Sequence, residues 1–162
     1  MPEAANQTWS IDLMHDQLAD ARSSRLFNVL YDFNRQGLAM EVDISLRAAR
    51  VIRSLEQVIQ WCGEPRSIRC DNGPEYISGA LQACAERQSI ALIYIQPSGP
   101  QQNAYIERYN RTVRYAWVAC NLFSDIEQVQ VTATRWFWTC NNERPNMALG
   151  GITPMHKLAL AA

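Results

Sequence analysis

The chain has 162 residues, 48% of them hydrophobic, and a formal net charge of −1. That length makes one domain with a sizeable core, and no apolar run approaches the roughly 20 residues a membrane helix needs. The near-neutral charge excludes a domain that holds nucleic acid by bulk basicity. However, 14 of the 15 basic residues are arginine, which grips phosphate bidentately.

The first residues, 1–7, read as the frayed end of a linker. They are polar and lack a signal-peptide core, so a cytoplasmic protein is expected. Trp9, Ile11 and Leu13 alternate with Ser10, Asp12 and Met14, the pattern of a first strand. Arg25 to Asp32 predicts a second strand and Leu38 to Asp43 a third, joined by a hairpin turn at Asn34-Arg35-Gln36-Gly37. Leu46, Ala49, Ile52, Leu55, Ile59 and Cys62 recur at helical spacing, and Gly63 with Pro65 stops that helix. Arg66 to Cys70 predicts a fourth strand ending at Asp71. Residues 76–88 predict a second helix, 90–95 a fifth strand, 96–103 a loop, and 104–120 a long helix. A last helix is expected from a Ser124/Glu127 capping box to about Asn141, with an irregular tail after Arg144-Pro145. The order β-β-β-α-β-α-β-α-α predicts a mixed five-stranded sheet, three antiparallel strands and then two parallel ones, flanked by helices. Asp12 then lies on a central strand beside the strand that ends at Asp71.

Three acids carry the chemistry. Asp12 interrupts a strand with an apolar face, where an unpaired carboxylate is costly to bury. Asp71 stands at the carboxyl end of a strand, where ligands bind in open α/β sheets, although an Asx-turn is an equally simple reading. Glu107 shares the outward face of the 104–120 helix with Arg111 and Arg114, opposite a buried stripe of Tyr105, Ile106, Tyr109, Val113, Ala116, Trp117 and Cys120. For that face alone, a solvated Glu107–Arg111 pair is the plainer reading. Converging carboxylates suit Mg²⁺ or Mn²⁺ and two-metal phosphoryl transfer, because hard cations take oxygen ligands. The five cysteines, at 62, 70, 84, 120 and 140, form no CxxC pair and read as isolated thiols. Trp117 and Trp136 read as core, Trp138 as a possible partner or DNA surface, and His15 as a surface residue. Asp32 and Glu75 read as turn, capping or supporting groups.

Seven segments together resemble the integrase-type catalytic core of insertion-sequence transposases, relatives of retroviral integrases. They are Trp9-Ser10-Ile11-Asp12, Leu30-Tyr31-Asp32-Phe33-Asn34-Arg35, Ile68-Arg69-Cys70-Asp71-Asn72-Gly73-Pro74-Glu75, Ile95-Gln96-Pro97, Gln102-Asn103-Ala104-Tyr105-Ile106-Glu107-Arg108-Tyr109-Asn110-Arg111, Asn142-Glu143-Arg144-Pro145 and Ala148-Leu149-Gly150-Gly151-Ile152-Thr153-Pro154. The resemblance implies a ribonuclease-H-like fold over residues 8–155, with 156–162 as a C-terminal tail. It also implies an Asp-Asp-Glu triad matched by Asp12, Asp71 and Glu107, with 35 residues between the last two acids.

The implied activity is metal-dependent DNA strand cleavage and 3′-hydroxyl strand transfer, with two Mg²⁺ or Mn²⁺ ions when DNA is bound. Implied DNA contacts are Asn103, Arg108, Arg111 and Arg114. Implied partners are element ends and target DNA, a second copy or larger assembly on DNA, and a helix-turn-helix region or partner protein. No membrane is implied, and the setting is bacterial and nucleoid-associated. Two departures matter. Ser98-Gly99-Pro100 stands where the family carries Gly-Lys-Pro, which removes a lysine contact to DNA. The helix-turn-helix region is absent, as expected of a truncated piece, one product of a split gene, or a remnant. A catalytically silent binding or assembly module and a simple ribonuclease-H-like nuclease are the competing readings.

Overall fold

The computed structural model describes residues 4, 6–71, 79–96, 103–118 and 122–162. Three strands open it: β1 Thr8–Gln17, β2 Ser23–Tyr31 and β3 Gln36–Asp43. β1 pairs antiparallel with β2, placing Asp12 opposite Asn28, and β2 pairs antiparallel with β3. The turn between β2 and β3 spans 32–35, two residues earlier than the Asn-Arg-Gln-Gly stretch predicts, because Gln36 and Gly37 already pair in β3; Arg35 takes the left-handed region at φ 60°. β4 Ser67–Cys70 then pairs parallel with β1, and β5 Ala91–Tyr94 pairs parallel with β4. The sheet order is β3-β2-β1-β4-β5, so β1 is central and flanked by β4, as the element order implies.

Helices cover both faces. α1 Ala48–Cys62 and α2 Gly79–Arg87 lie on one, and α3 Ala104–Ala116 and α4 Ile126–Asn142 on the other. On the first face Trp9, Ile11, Phe27 and Val29 from the strands meet Val51, Leu55, Val58 and Leu81 from the helices. On the second, Met14, Leu26, Met40 and Val42 meet Val113, Trp117, Val129 and Ala133. The alternation along β1 decides this division, because successive side chains point to opposite faces.

Two further expectations are corrected. The capping group of α4 is Asp125, not Ser124: its carboxylate accepts the Gln128 amide at 2.8 Å, while the Gln128 side chain accepts the Ser124 amide at 2.9 Å. The return bond of a capping box is displaced, since Gln128 reaches the amide before the cap rather than that of Asp125 itself. The chain after Pro145 is ordered rather than irregular. It forms a 3₁₀ turn at Met147–Leu149 and a helix α5, Pro154–Leu160. Thr153 caps α5 through the His156 amide with Pro154 in the first turn, a start signal that is plain in Thr-Pro. Asn34 donates to the Pro154 carbonyl at 3.0 Å and Leu158 packs on the core. The long helix over 104–120 is regular to Ala116, where the Trp117 amide still reaches the Val113 carbonyl. The start of the helix predicted at 76, the loop at 97–102 and Cys120 lie outside the described residues.

Candidate active site

Asp12 sits mid-strand on the α3 face of β1. Its carboxylate accepts the Leu13 amide at 2.8 Å and, through the other oxygen, the Asn110 side-chain amide at 2.8 Å. Asn110 is one turn beyond Glu107 on α3, and its carbonyl oxygen accepts from Asn28 at 2.9 Å. A chain of three side chains, Asn28–Asn110–Asp12, therefore fastens the Glu107 segment of α3 over the central strand. Asn28 is fully buried. Sequence reasoning missed both asparagines, although each left a signal: Asn28 breaks an apolar strand as Asp12 does, and Asn110 borders the buried stripe of α3.

Asp71 follows β4 directly and is half-buried, while Glu107 is exposed on α3. Burial pushes the Asp12 carboxyl up from 3.8 to about 6, and the negative charges of Asp71 and Glu107 push the same way. The Leu13 amide and Asn110 pull it down without cancelling the rise. The three acids, far apart in sequence, thus share one electrostatic neighbourhood. Among the described residues no three acid, histidine or cysteine side chains stand close enough to hold an ion unaided, and no ion pair joins Glu107 to Arg111. Glu75 and the Ser98-Gly99-Pro100 departure lie outside the described residues.

The donor set fits a divalent cation. All three groups are hard oxygen donors. Asp12 is held in a place that penalises its own ionisation, a cost that a nearby cation offsets.

Behind the acids lies a second polar layer. Asp32 is fully buried; it accepts the Ser10 hydroxyl at 2.7 Å and pairs with Arg69 at 3.1 Å. Burial raises its pKa, and Ser10, Arg69 and Arg35 oppose that rise. Ser10 and Arg69 are register partners on β1 and β4, two residues before Asp12 and Asp71 respectively. Asp32 is therefore a supporting group rather than a turn cap: it ties the strands that carry the two aspartates.

Of the expected DNA contacts, Arg108, Arg111 and Arg114 are exposed on α3, whereas Asn103 is buried at its N-terminus. Trp117 is buried and stacks on Trp136 at 6.0 Å, as core residues should. Trp138 is 56% exposed, and His15 is exposed. Cys62, Cys70, Cys84 and Cys140 are free thiols. Among the described residues no helix is long and apolar enough to cross a membrane.

A central antiparallel hairpin with a parallel extension, covered by helices on both faces, defines a ribonuclease-H-like domain. Two family models, each described as an integrase core domain, match residues 2–100 and 88–154. The chain belongs to the integrase core domain family. It is 37% identical, over 92% of its length and 43% of the relative's, to an uncharacterized 39.2 kDa protein of insertion element IS476 from Xanthomonas euvesicatoria. It is 32% identical, over 95% of its length and 56% of the relative's, to an uncharacterized 31.7 kDa protein of insertion element IS407 from Burkholderia multivorans. The chain thus spans about half the length of these curated relatives. Its fold matches the HTLV-2 integrase catalytic core domain, solved in complex with magnesium in a dimeric form. That match has a TM-score of 0.72 and 19% identity over 94% of this chain and 96% of that one.

Proposed function

We propose that this chain is the catalytic core of a bacterial transposase that cuts a donor DNA strand and joins its 3′-hydroxyl to target DNA. The observation that carries the reading is the pressure of Asp71 and Glu107 on Asp12, with α3 fastened to β1 through Asn110. In this reading Asp12, Asp71 and Glu107 are the metal-binding catalytic residues, each offering a carboxylate toward Mg²⁺ or Mn²⁺. Two such ions supply activation of the attacking oxygen and neutralisation of the leaving one. Substrate phosphates would supply the remaining ligands, since Mg²⁺ takes only a few carboxylates from the protein.

The chain's own residues position the rest. Arg111 and Arg114, on the exposed face of α3 beside Glu107, hold backbone phosphates. Asn110 fixes Asp12 and the first turns of α3, Asn103 stands at the N-cap position of that helix without a side-chain cap bond, and Arg108 lies on its flank. In the same reading residues 8–155 form the core and 156–162 close it. Element ends are found by a helix-turn-helix region or a partner protein, because a domain of charge −1 supplies little of the phosphate neutralisation that DNA affinity needs. The working form on DNA is a dimer or larger assembly, since two element ends are joined, and it acts at the nucleoid in the cytoplasm.

The test is joining of a pre-cleaved, 3′-recessed donor end to target DNA in Mn²⁺. Asp12→Ala, Asp71→Ala and Glu107→Ala should each cut joining by roughly 10³-fold or more while leaving thermal unfolding cooperative. An acid whose loss leaves full activity has no place in the mechanism. Hydrolysis of RNA–DNA hybrids without joining would mark a nuclease instead. DNA binding without either reaction would mark a silent module.

A further inference from the structure

A cleft of about 260 Å³ opens on the other flank of α3 from the acids, between α3, α4 and the segment from Arg144 to Pro154. Three arginines line it, Arg35, Arg108 and Arg144, and no carboxylate does. In a chain of net charge −1, that is a local concentration of positive charge with no counter-charge on its walls. Arg35 is the most constrained of the three. Its guanidinium stacks on the Tyr105 ring, 3.5 Å from the centroid, and its Nη1 is buried without a hydrogen-bond acceptor. The carboxylate that Arg35 senses, Asp32, is already taken by Ser10 and Arg69. Arg35 therefore keeps charge to offer an anion approaching from the open side. The floor is aromatic, with Tyr105, Tyr109 and Trp136 lining it and the last two rings set edge to face at 62°.

We propose that this cleft is a second nucleic-acid subsite that seats a phosphodiester of a DNA strand, with an adjoining base against the aromatic floor. The inference rests on the transposase reading and extends it. At 100° per residue, Arg108 and Arg111 follow one another round the exposed side of α3, between the Glu107 face and the cleft. A strand leaving the acids therefore crosses arginines before reaching Arg35 and Arg144. Arginine forks and aromatic faces are the combination that holds single strands without reading sequence. An acidic protein segment would be drawn by the charge alone and would have no use for the rings.

The experiment measures binding of a fluorescent single-stranded oligonucleotide to the full chain by anisotropy, in EDTA and over a range of salt. The Arg35→Gln/Arg144→Gln double variant should bind at least tenfold more weakly. Its log–log salt slope should be shallower by about 1–2, since two phosphate contacts are lost. Arg35→Lys/Arg144→Lys should recover part of the affinity, and Trp136→Phe should remove a quench of tryptophan fluorescence seen on binding. Arg144 is exposed, so Arg144→Gln alone carries the test if the double variant does not fold; it should lose affinity severalfold.

Unchanged affinity and slope in these variants overturn the subsite. So does displacement of the oligonucleotide by a polyglutamate peptide or by equimolar inorganic phosphate, which would reveal a generic anion site. Binding is read without metal, so the outcome is independent of strand joining. A wild-type chain that joins no ends but loses DNA affinity in the variants defeats the transposase reading and spares the subsite.

Discussion

On one side of β1, Trp9 and Ile11 are fully buried against α1 and its neighbours; on the other, Ser10 and Asp12 meet Asp32, Arg69 and Asn110. The two sides belong to the same strand and are covered by helices alike, yet they do opposite things. The apolar side removes surface from water, and the one polar atom of these two side chains, the Trp9 indole Nε1, is buried there without a partner. The polar side places a carboxylate where burial and two like charges resist its ionisation. Stability is gathered on one face and in part given up on the other, the arrangement expected where a site is held ready for a ligand of opposite charge.

The largest break in this comparison is expected on the apolar face. Trp9→Ala should cost about 3–5 kcal/mol, because a fully buried ring leaves a cavity that the sheet cannot close. Urea unfolding should show the midpoint collapsing. A loss under about 1 kcal/mol would mean that this face is not the main source of stability.

On the polar face, Arg69→Met strands the Asp32 carboxylate. A fully buried pair broken on one side costs roughly 3–5 kcal/mol. Here about 2–3 kcal/mol is expected, because the Arg69 side chain is 24% exposed and Asp32 can take up a proton. The deficit should shrink as the solution is acidified. A deficit that grows instead would show that Asp32 is not the group left unpaired.

Asp12 gives the sharpest contrast, since its replacement should stabilise. Its folded pKa, about 6, lies above the 3.8 of an ordinary aspartate. Between those values the folded chain holds more protons than the unfolded chain, so stability falls as pH rises through that window. At pH 7 the cost approaches about 3 kcal/mol. Asp12→Asn should recover about 1–2 kcal/mol of it in EDTA, the remainder being lost because the new amide faces the Asn110 donor. The gain should reverse near pH 4, where Asp12 is protonated in the folded chain and the amide mismatch alone remains. Thermal unfolding at both pH values decides; a variant less stable than wild type at pH 7 contradicts the assignment. Mn²⁺ should narrow the gap by stabilising the wild type alone.

The smallest effect lies away from both faces of β1. Asp125→Ala should cost about 1 kcal/mol through the lost α4 cap, and Ser124→Ala much less. Equal losses would restore Ser124 as the capping group.

Much of this was legible in the chain itself. The alternation of Trp9 to Met14, the turn residues Asn34 and Arg35 and the helical recurrence from Leu46 to Cys62 are set by neighbours a few residues apart, so the elements and their order could be read directly. Asp12 and Asp71 stood out because each is a charge at a strand position where charge is unusual. Thr153-Pro154 also carries a readable helix start, masked by the glycines and prolines around it. Asp32 looked like a turn acid, because nothing local says that Arg69 and Ser10 will close over it.

What the sequence determined, then, was the set of elements, the alternating faces of the strands and the three acids at their spacing, all of them consequences of backbone geometry and short-range periodicity. Only the tertiary structure decided that Ser10 and Arg69 close over Asp32, that Asn110 reaches both Asp12 and Asn28, and that Arg35, Arg108 and Arg144 border one cleft. Those proximities join residues tens of positions apart. Long-range packing of helices on the sheet creates them, and no local pattern encodes a distance between elements.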